Sequence, residues 1–93
     1  MILEIVSPEA TLFKGTITSV ALPGANGEFQ ILNNHAPIVS LLTKGNVKIK
    51  AQDIKIDKDF VSKFNKIDEH TFWLPINSGT IEMNDNKVIV LAD

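Results

Sequence analysis

Short runs of alternating apolar and polar residues, cut every few positions by Gly, Pro, Asn or Asp, dominate this sequence. A period of two is the signature of a half-buried β-strand. Leu3 and Ile5 flank Glu4, and Val47, Ile49 and Ala51 alternate with Lys48 and Lys50. In such a run the apolar members share one face and the charged ones turn to water. Residues 2–6, 16–22, 28–32, 38–42, 47–51, 54–56, 71–76, 80–83 and 87–91 all read as strands in this way. Asn84-Asp85-Asn86 predicts a hairpin, because these side chains tolerate left-handed backbone and satisfy turn donors locally. Pro23-Gly24 predicts a tight type II turn with glycine taking the positive φ. Pro75 has no backbone donor and predicts an edge or a strand end. One stretch, 57–69, departs from the alternation. There Phe60, Phe64 and Ile67 stand at helical spacing after a capping Asp57 or Asp59, which predicts a short helix or helical turn. Short strands with frequent turns indicate a mostly β chain, a β-sandwich or small barrel. The sole tryptophan, Trp73, is expected in or beside its core.

The chain has 93 residues, the length of one domain, so residues 1–93 are expected to fold as a unit. Area scaling at this mass gives a folded surface of about 5,300 Å², roughly 64% of the extended chain's surface being buried. There is no cysteine, which removes disulfides, thiolate metal sites and thiol nucleophiles together. Nine lysines, no arginine and a net charge of −2 offer nucleic acid neither a basic footprint nor bidentate forks. No apolar run approaches the ~18 residues of a membrane span, and the N-terminal residues lack the pattern of a signal peptide. A cytoplasmic protein is expected.

The census of catalytic groups is thin. His35 and His70 are the only histidines, and neither has a ligand-spaced companion. The serines lack a nucleophile-elbow setting, and no phosphate loop is present. Asp57, Asp59, Asp68 and Glu69 read as solvated charges rather than an acid and base pair. Neither catalysis by this chain alone nor a metal or cofactor is indicated. What stands out are two closely specified loops, residues 23–29 and 32–37, in which Glu28 and His35 are isolated functional groups. The residues alone leave these as connecting loops or as a partner surface.

An ordered set of motifs adds a resemblance. Ser7-Pro8-Glu9 follows the first strand, then come Phe13-Lys14-Gly15, Pro23-Gly24, Gly27-Glu28-Phe29, Leu32-Asn33-Asn34-His35-Ala36-Pro37 and the terminal Val88-Ile89-Val90-Leu91-Ala92-Asp93. In order and spacing the set resembles the ε subunit of F-type ATP synthases, over residues 1–51 and 71–93. The resemblance implies a flattened, two-sheet antiparallel β-sandwich. It implies a non-catalytic central-stalk subunit without cofactor, joining the γ subunit to the c ring and coupling proton translocation to ATP synthesis. Its membrane association would come through the complex alone, at the cytoplasmic face of the bacterial cell membrane. Ser7 and His35 would face γ, supported by Pro8, Ala36 and Pro37. Glu28 would reach the c ring, supported by Gly24, Gly27 and Phe29. The chain departs from the family in having Ser78-Gly79 where Gly-Gly is common, and residues 52–70 match nothing in it. Because it stops at Asp93, it is also expected to lack the two inhibitory C-terminal helices and the ATP-binding motif of longer members. The alternative is a free-standing β-sandwich module gripping a peptide or sugar on an aromatic platform of Phe29, Phe72 and Trp73.

Overall fold

Ten strands account for most of the chain in the computed structural model, which describes residues 1–93. They are β1 (Ile2–Val6), β2 (Thr11–Thr16), β3 (Ser19–Gly24), β4 (Gly27–Leu32), β5 (Ile38–Leu42), β6 (Gly45–Lys50), β7 (Asn65–Asp68), β8 (Thr71–Ile76), β9 (Gly79–Asn84) and β10 (Lys87–Ala92). The pairing order β2-β1-β10-β9-β5 continues through β3 to β6-β8-β7, with β4 on the other side of β3. β5 and β3 meet at the single pair Gly24 with Leu42. The order therefore divides into two five-stranded leaves, β2-β1-β10-β9-β5 and β4-β3-β6-β8-β7, joined at that corner. Neighbours run antiparallel except β1 and β10, which are parallel.

Register decides which side chains fill the space between the leaves. Across the first leaf, the rows Met83-Val88-Leu3 and Ile81-Val90-Ile5-Phe13 are buried. Across the second, Ile31-Val20-Ile49 and the pairs Phe29-Leu22 and Val47-Leu74 face them. Twenty buried residues form one continuous core. A fully buried Leu, Ile or Val contributes roughly 1.5–3 kcal/mol, so this alternation is the main source of stability. The folded chain exposes 5636 Å², close to the scaling value for its mass.

The turns follow their chemistry, with one correction. Asp85 (φ 51) and Asn86 (φ 60) form the two-residue loop of the β9–β10 hairpin, and positive φ at both central residues defines a type I′ turn. The β3–β4 turn is not the expected type II turn at Pro23-Gly24. Both residues belong to β3, Ala25 and Asn26 make the turn, and the positive φ (114) falls at Gly27. Gly24 is needed for a different reason: a Cβ there would stand 2.9 Å from the Phe29 ring. Pro75 fits its expected place, since β7 pairs with β8 only from Thr71 to Trp73 and leaves Pro75 beyond the ladder.

Residues 52–70 are the main departure. Residues 54–56 are not a strand, and the helix expected in 57–69 shrinks to a 3-10 turn at Val61–Lys63. Neither Asp57 nor Asp59 caps it with a side chain, since Phe60 takes the N-cap position; Asp57 closes the turn just before it, its Oδ1 accepting the Asp59 N–H at 2.9 Å and its carbonyl accepting from Phe60 and Val61. Phe60 and Phe64 pack on the core as their spacing requires, but Asn65–Asp68 then turn extended to cover the open edge of β8. Hydrogen bonding to a bare strand edge satisfies backbone groups that a longer helix would leave exposed on β8. The excursion closes where Ala51 N–H donates to the His70 carbonyl at 3.0 Å.

Candidate functional site

The outward rows of the first leaf are unusual for a surface. Leu41, Thr80, Leu91 and Val6 lie abreast across β5, β9, β10 and β1, and the next row holds Val39, Glu82, Ile89, Glu4 and Lys14. Val39 is 78% exposed, Leu41 70% and Leu91 52%. Apolar side chains this exposed, grouped on one face and interrupted by Thr80, Glu82, Glu4 and Lys14, mark a protein interaction site more often than a monomer surface. These residues lie outside the loops that the sequence motifs mark, although their strands carry a signal of their own. β5 (IVSLL) and β10 (KVIVLA) are apolar on both faces instead of alternating, and such strands are expected where both faces are covered.

Ser7 and Pro8 bound one end of this face. Ser7 N–H donates to the Ala10 carbonyl at 2.8 Å, and the Ser7 hydroxyl both donates to that carbonyl and accepts the Ala10 N–H. The side chain thus closes the β1–β2 loop and leaves Pro8 projecting. Pro8, Leu41, Leu91, Thr43 and Ser78 line a shallow apolar hollow there, which Ala25 of the β3–β4 turn also joins. Close packing at this corner falls on Gly79 and not on Ser78: a Cβ on Gly79 would collide with the Leu91 carbonyl oxygen, while Ser78 Oγ donates to Asp93.

His35, Ala36 and Pro37 bound the opposite end, all exposed. His35 N–H donates to the Leu32 carbonyl at 3.2 Å, and with Asn34 at φ 62 this is the arrangement of a type II turn. His35 Nδ1 lies 2.7 Å from the Ala36 carbonyl. That geometry places the hydrogen on Nδ1 and leaves Nε2 directed away from this bond. The structure therefore does not gather Ser7 and Pro8 with His35, Ala36 and Pro37. The two groups are separated by the length of β1, about 16 Å at the rise of an extended chain.

The third group, Gly24, Gly27, Glu28 and Phe29, lies at the same end as Ser7. Gly27 and Glu28 are exposed, whereas the Phe29 ring is turned inward over Gly24 and onto the core. Phe29 thus shapes the turn from beneath, its ring half-buried against the core. Glu28 Oε1 pairs with Lys48 Nζ at 2.8 Å on the outer face of the second leaf. The Lys48 ammonium also sits 4.4 Å from the centroid of the Trp73 ring. Trp73 is accordingly half-buried on the outer face, outside the core, where it lines a groove with Ala21, Gln30 and Ile67. Phe72 packs inward like Phe29, so the three rings do not make the aromatic platform of a binding module. Among titratable groups, the Asp68 carboxyl is held below the usual aspartate value, chiefly by the His70 N–H that donates to it at 2.8 Å.

Comparison with known proteins gives the family to which the chain belongs. The family model described as the ATP synthase, delta/epsilon chain, β-sandwich domain matches residues 1–63, which include Ser7-Pro8, Gly24, Gly27-Glu28-Phe29 and His35-Ala36-Pro37. The ATP synthase epsilon chain of Campylobacter concisus is 36% identical over 91 residues, 98% of this chain and 59% of that protein. That of Chlorobaculum tepidum is also 36% identical over 91 residues, 98% of this chain and 86% of that protein. These alignments take in residues 52–70 as well. The chain thus spans less than two thirds of the Campylobacter relative. In solved structures, a chain from the central stalk and c-ring of the Tetrahymena thermophila mitochondrial ATP synthase superposes with a TM-score of 0.70 at 14% identity, covering 99% of this chain and 62% of that one. A chain of the Euglena gracilis mitochondrial ATP synthase gives 0.72 at 18% identity, covering 99% and 49%. These likenesses establish the same sandwich fold, and with the sequence matches they place the chain: it belongs to the β-sandwich domain family of the ATP synthase delta and epsilon chains.

Proposed function

We propose that this chain, folding as one unit over residues 1–93, is a non-catalytic central-stalk subunit of an F-type ATP synthase. In this reading it joins the γ subunit to the c ring and couples proton translocation to ATP synthesis at the cytoplasmic face of a bacterial membrane. It needs no cofactor and touches the membrane only through its partners. The observation that carries the reading is the exposed apolar face of the first leaf, bounded at one end by Ser7-Pro8 and at the other by His35-Ala36-Pro37. If both loops meet one partner, that partner must lie along the strands and cover Leu41, Leu91 and Val39. An extended contact of this sort suits a torque-bearing joint, which requires a broad interface and not a deep pocket.

Gly24, Gly27 and Glu28, with Phe29 beneath them, are assigned to the c ring. Glu28 is free to serve there because an exposed pair such as Glu28 with Lys48 is worth only about 0–1 kcal/mol, so the carboxylate can exchange Lys48 for a polar group on the ring.

Co-expression with γ and the c ring tests both assignments. Wild type should co-purify with each, His35→Ala should weaken retention on γ, and Glu28→Lys should weaken retention on the ring. Proton-driven ATP synthesis in vesicles should fall with both variants. Failure of the wild type to associate with either partner would overturn the proposal.

A further inference from the structure

The loop that carries His35 has little of its own to hold it. Residues 32–37 are all exposed, so core packing does not fix them. The one backbone bond closing the turn, from His35 N–H to the Leu32 carbonyl, is 3.2 Å long. Beyond the local contact of His35 Nδ1 with the Ala36 carbonyl, its side-chain ties come from elsewhere in the chain, two of the three from one side chain. Asn86, in the β9–β10 turn, accepts the Asn34 N–H on Oδ1 at 2.8 Å and donates from Nδ2 to Asn33 Oδ1 at 2.9 Å. The Met1 ammonium donates to the same Asn33 oxygen at 3.3 Å. Asn86 is itself half-buried and anchored, since Ile2 N–H donates to its carbonyl at 3.1 Å. A carboxamide offers both an acceptor and a donor, so a single asparagine can grip a backbone N–H and a side-chain carbonyl together.

We propose that Asn86 is the positioning residue of the His35 loop, holding it in one conformation before the partner arrives. This rests on the reading that His35 faces the γ subunit. An interface loop ordered in advance loses less freedom on docking, which raises affinity without adding a contact. Asn86 then belongs to the interface energetically although it acts through the neighbouring loop.

The left-handed φ of 60 at Asn86 makes a clean variant available. Glycine accepts that backbone without strain, so Asn86→Gly keeps the type I′ turn and removes only the two side-chain bonds. Asn86→Asp keeps the acceptor for the Asn34 N–H and loses the donor. In the chain alone, Asn86→Gly should speed amide exchange at Asn34 by roughly tenfold while amides of β1 and β10 keep their protection, because local opening is separable from global unfolding. Asn86→Asp should restore most of the protection at Asn34. Against purified γ subunit, Asn86→Gly should weaken binding roughly fivefold, and it should add little to the loss caused by His35→Ala, since residues acting through one loop are not additive. Unchanged exchange at Asn34 in Asn86→Gly would overturn the proposal, as would a binding loss fully additive with that of His35→Ala. If wild type does not bind γ at all, the functional reading fails, while the exchange comparison still decides whether Asn86 holds the loop.

Discussion

Gly79 shows how closely single residues are specified at the corner where the Ser7 loop sits. A methyl group there would meet the Leu91 carbonyl, which is strand backbone and cannot swing aside. Gly79→Ala should therefore destabilise the chain by about 1–3 kcal/mol, read as a lowered urea midpoint with unchanged slope. Asp68 gives a prediction in pH. Its folded-state pKa is depressed, so the contribution of the His70 N–H is present above the unfolded pKa and is lost as pH falls through the folded one. Asp68→Asn should flatten the stability profile below pH ~4, its stability lying below wild type near neutrality and meeting it in acid; an unaltered acid limb in chemical denaturation would contradict that. At this scale the sequence was informative where chemistry is local. Asn84-Asp85-Asn86 announced its turn, while Gly24 and Trp73 did not announce their places. The need for Gly24 comes from the Phe29 ring, and Trp73 lies on the outer face because it alternates with Phe72 and Leu74, which the core takes.

Among the elements, β5 and β10 carry the functional argument because each has two apolar faces. Ile81, on the neighbouring strand β9, lies in the core, so Ile81→Ala should cost about 2–5 kcal/mol. Leu41 faces outward, so Leu41→Glu should leave stability within about 0.5 kcal/mol. The same change should weaken γ binding tenfold or more, equivalent to about 1.4 kcal/mol. A stability loss for Leu41→Glu comparable to that of Ile81→Ala would mean that the face is part of the fold and not a free surface. Alternation made most strands readable, but it could not say which apolar side of a doubly apolar strand would be left bare. That is set by the pairing order, in which β5 lies next to β9 and meets β3 only at Gly24 with Leu42. Residues 60–67 misled in the opposite way. Helical spacing of Phe60 and Phe64 was real, yet the open edge of β8 recruited the following residues as a strand.

For the molecule as a whole, the two leaves give two outer faces of different character. One is apolar between two exposed loops; the other carries the Glu28, Lys48 and Trp73 cluster. In the proposed assembly γ covers the first. Because the chain has no cysteine, single thiols report burial without background. Leu41→Cys and Leu91→Cys sample the first face, and Lys50→Cys samples the second. Maleimide labelling of each variant, alone and with bound γ subunit, is the most direct measurement. Bound γ should protect the thiols at positions 41 and 91 and leave that at 50 reactive. Protection at 50 with undiminished labelling at 41 and 91 would contradict it.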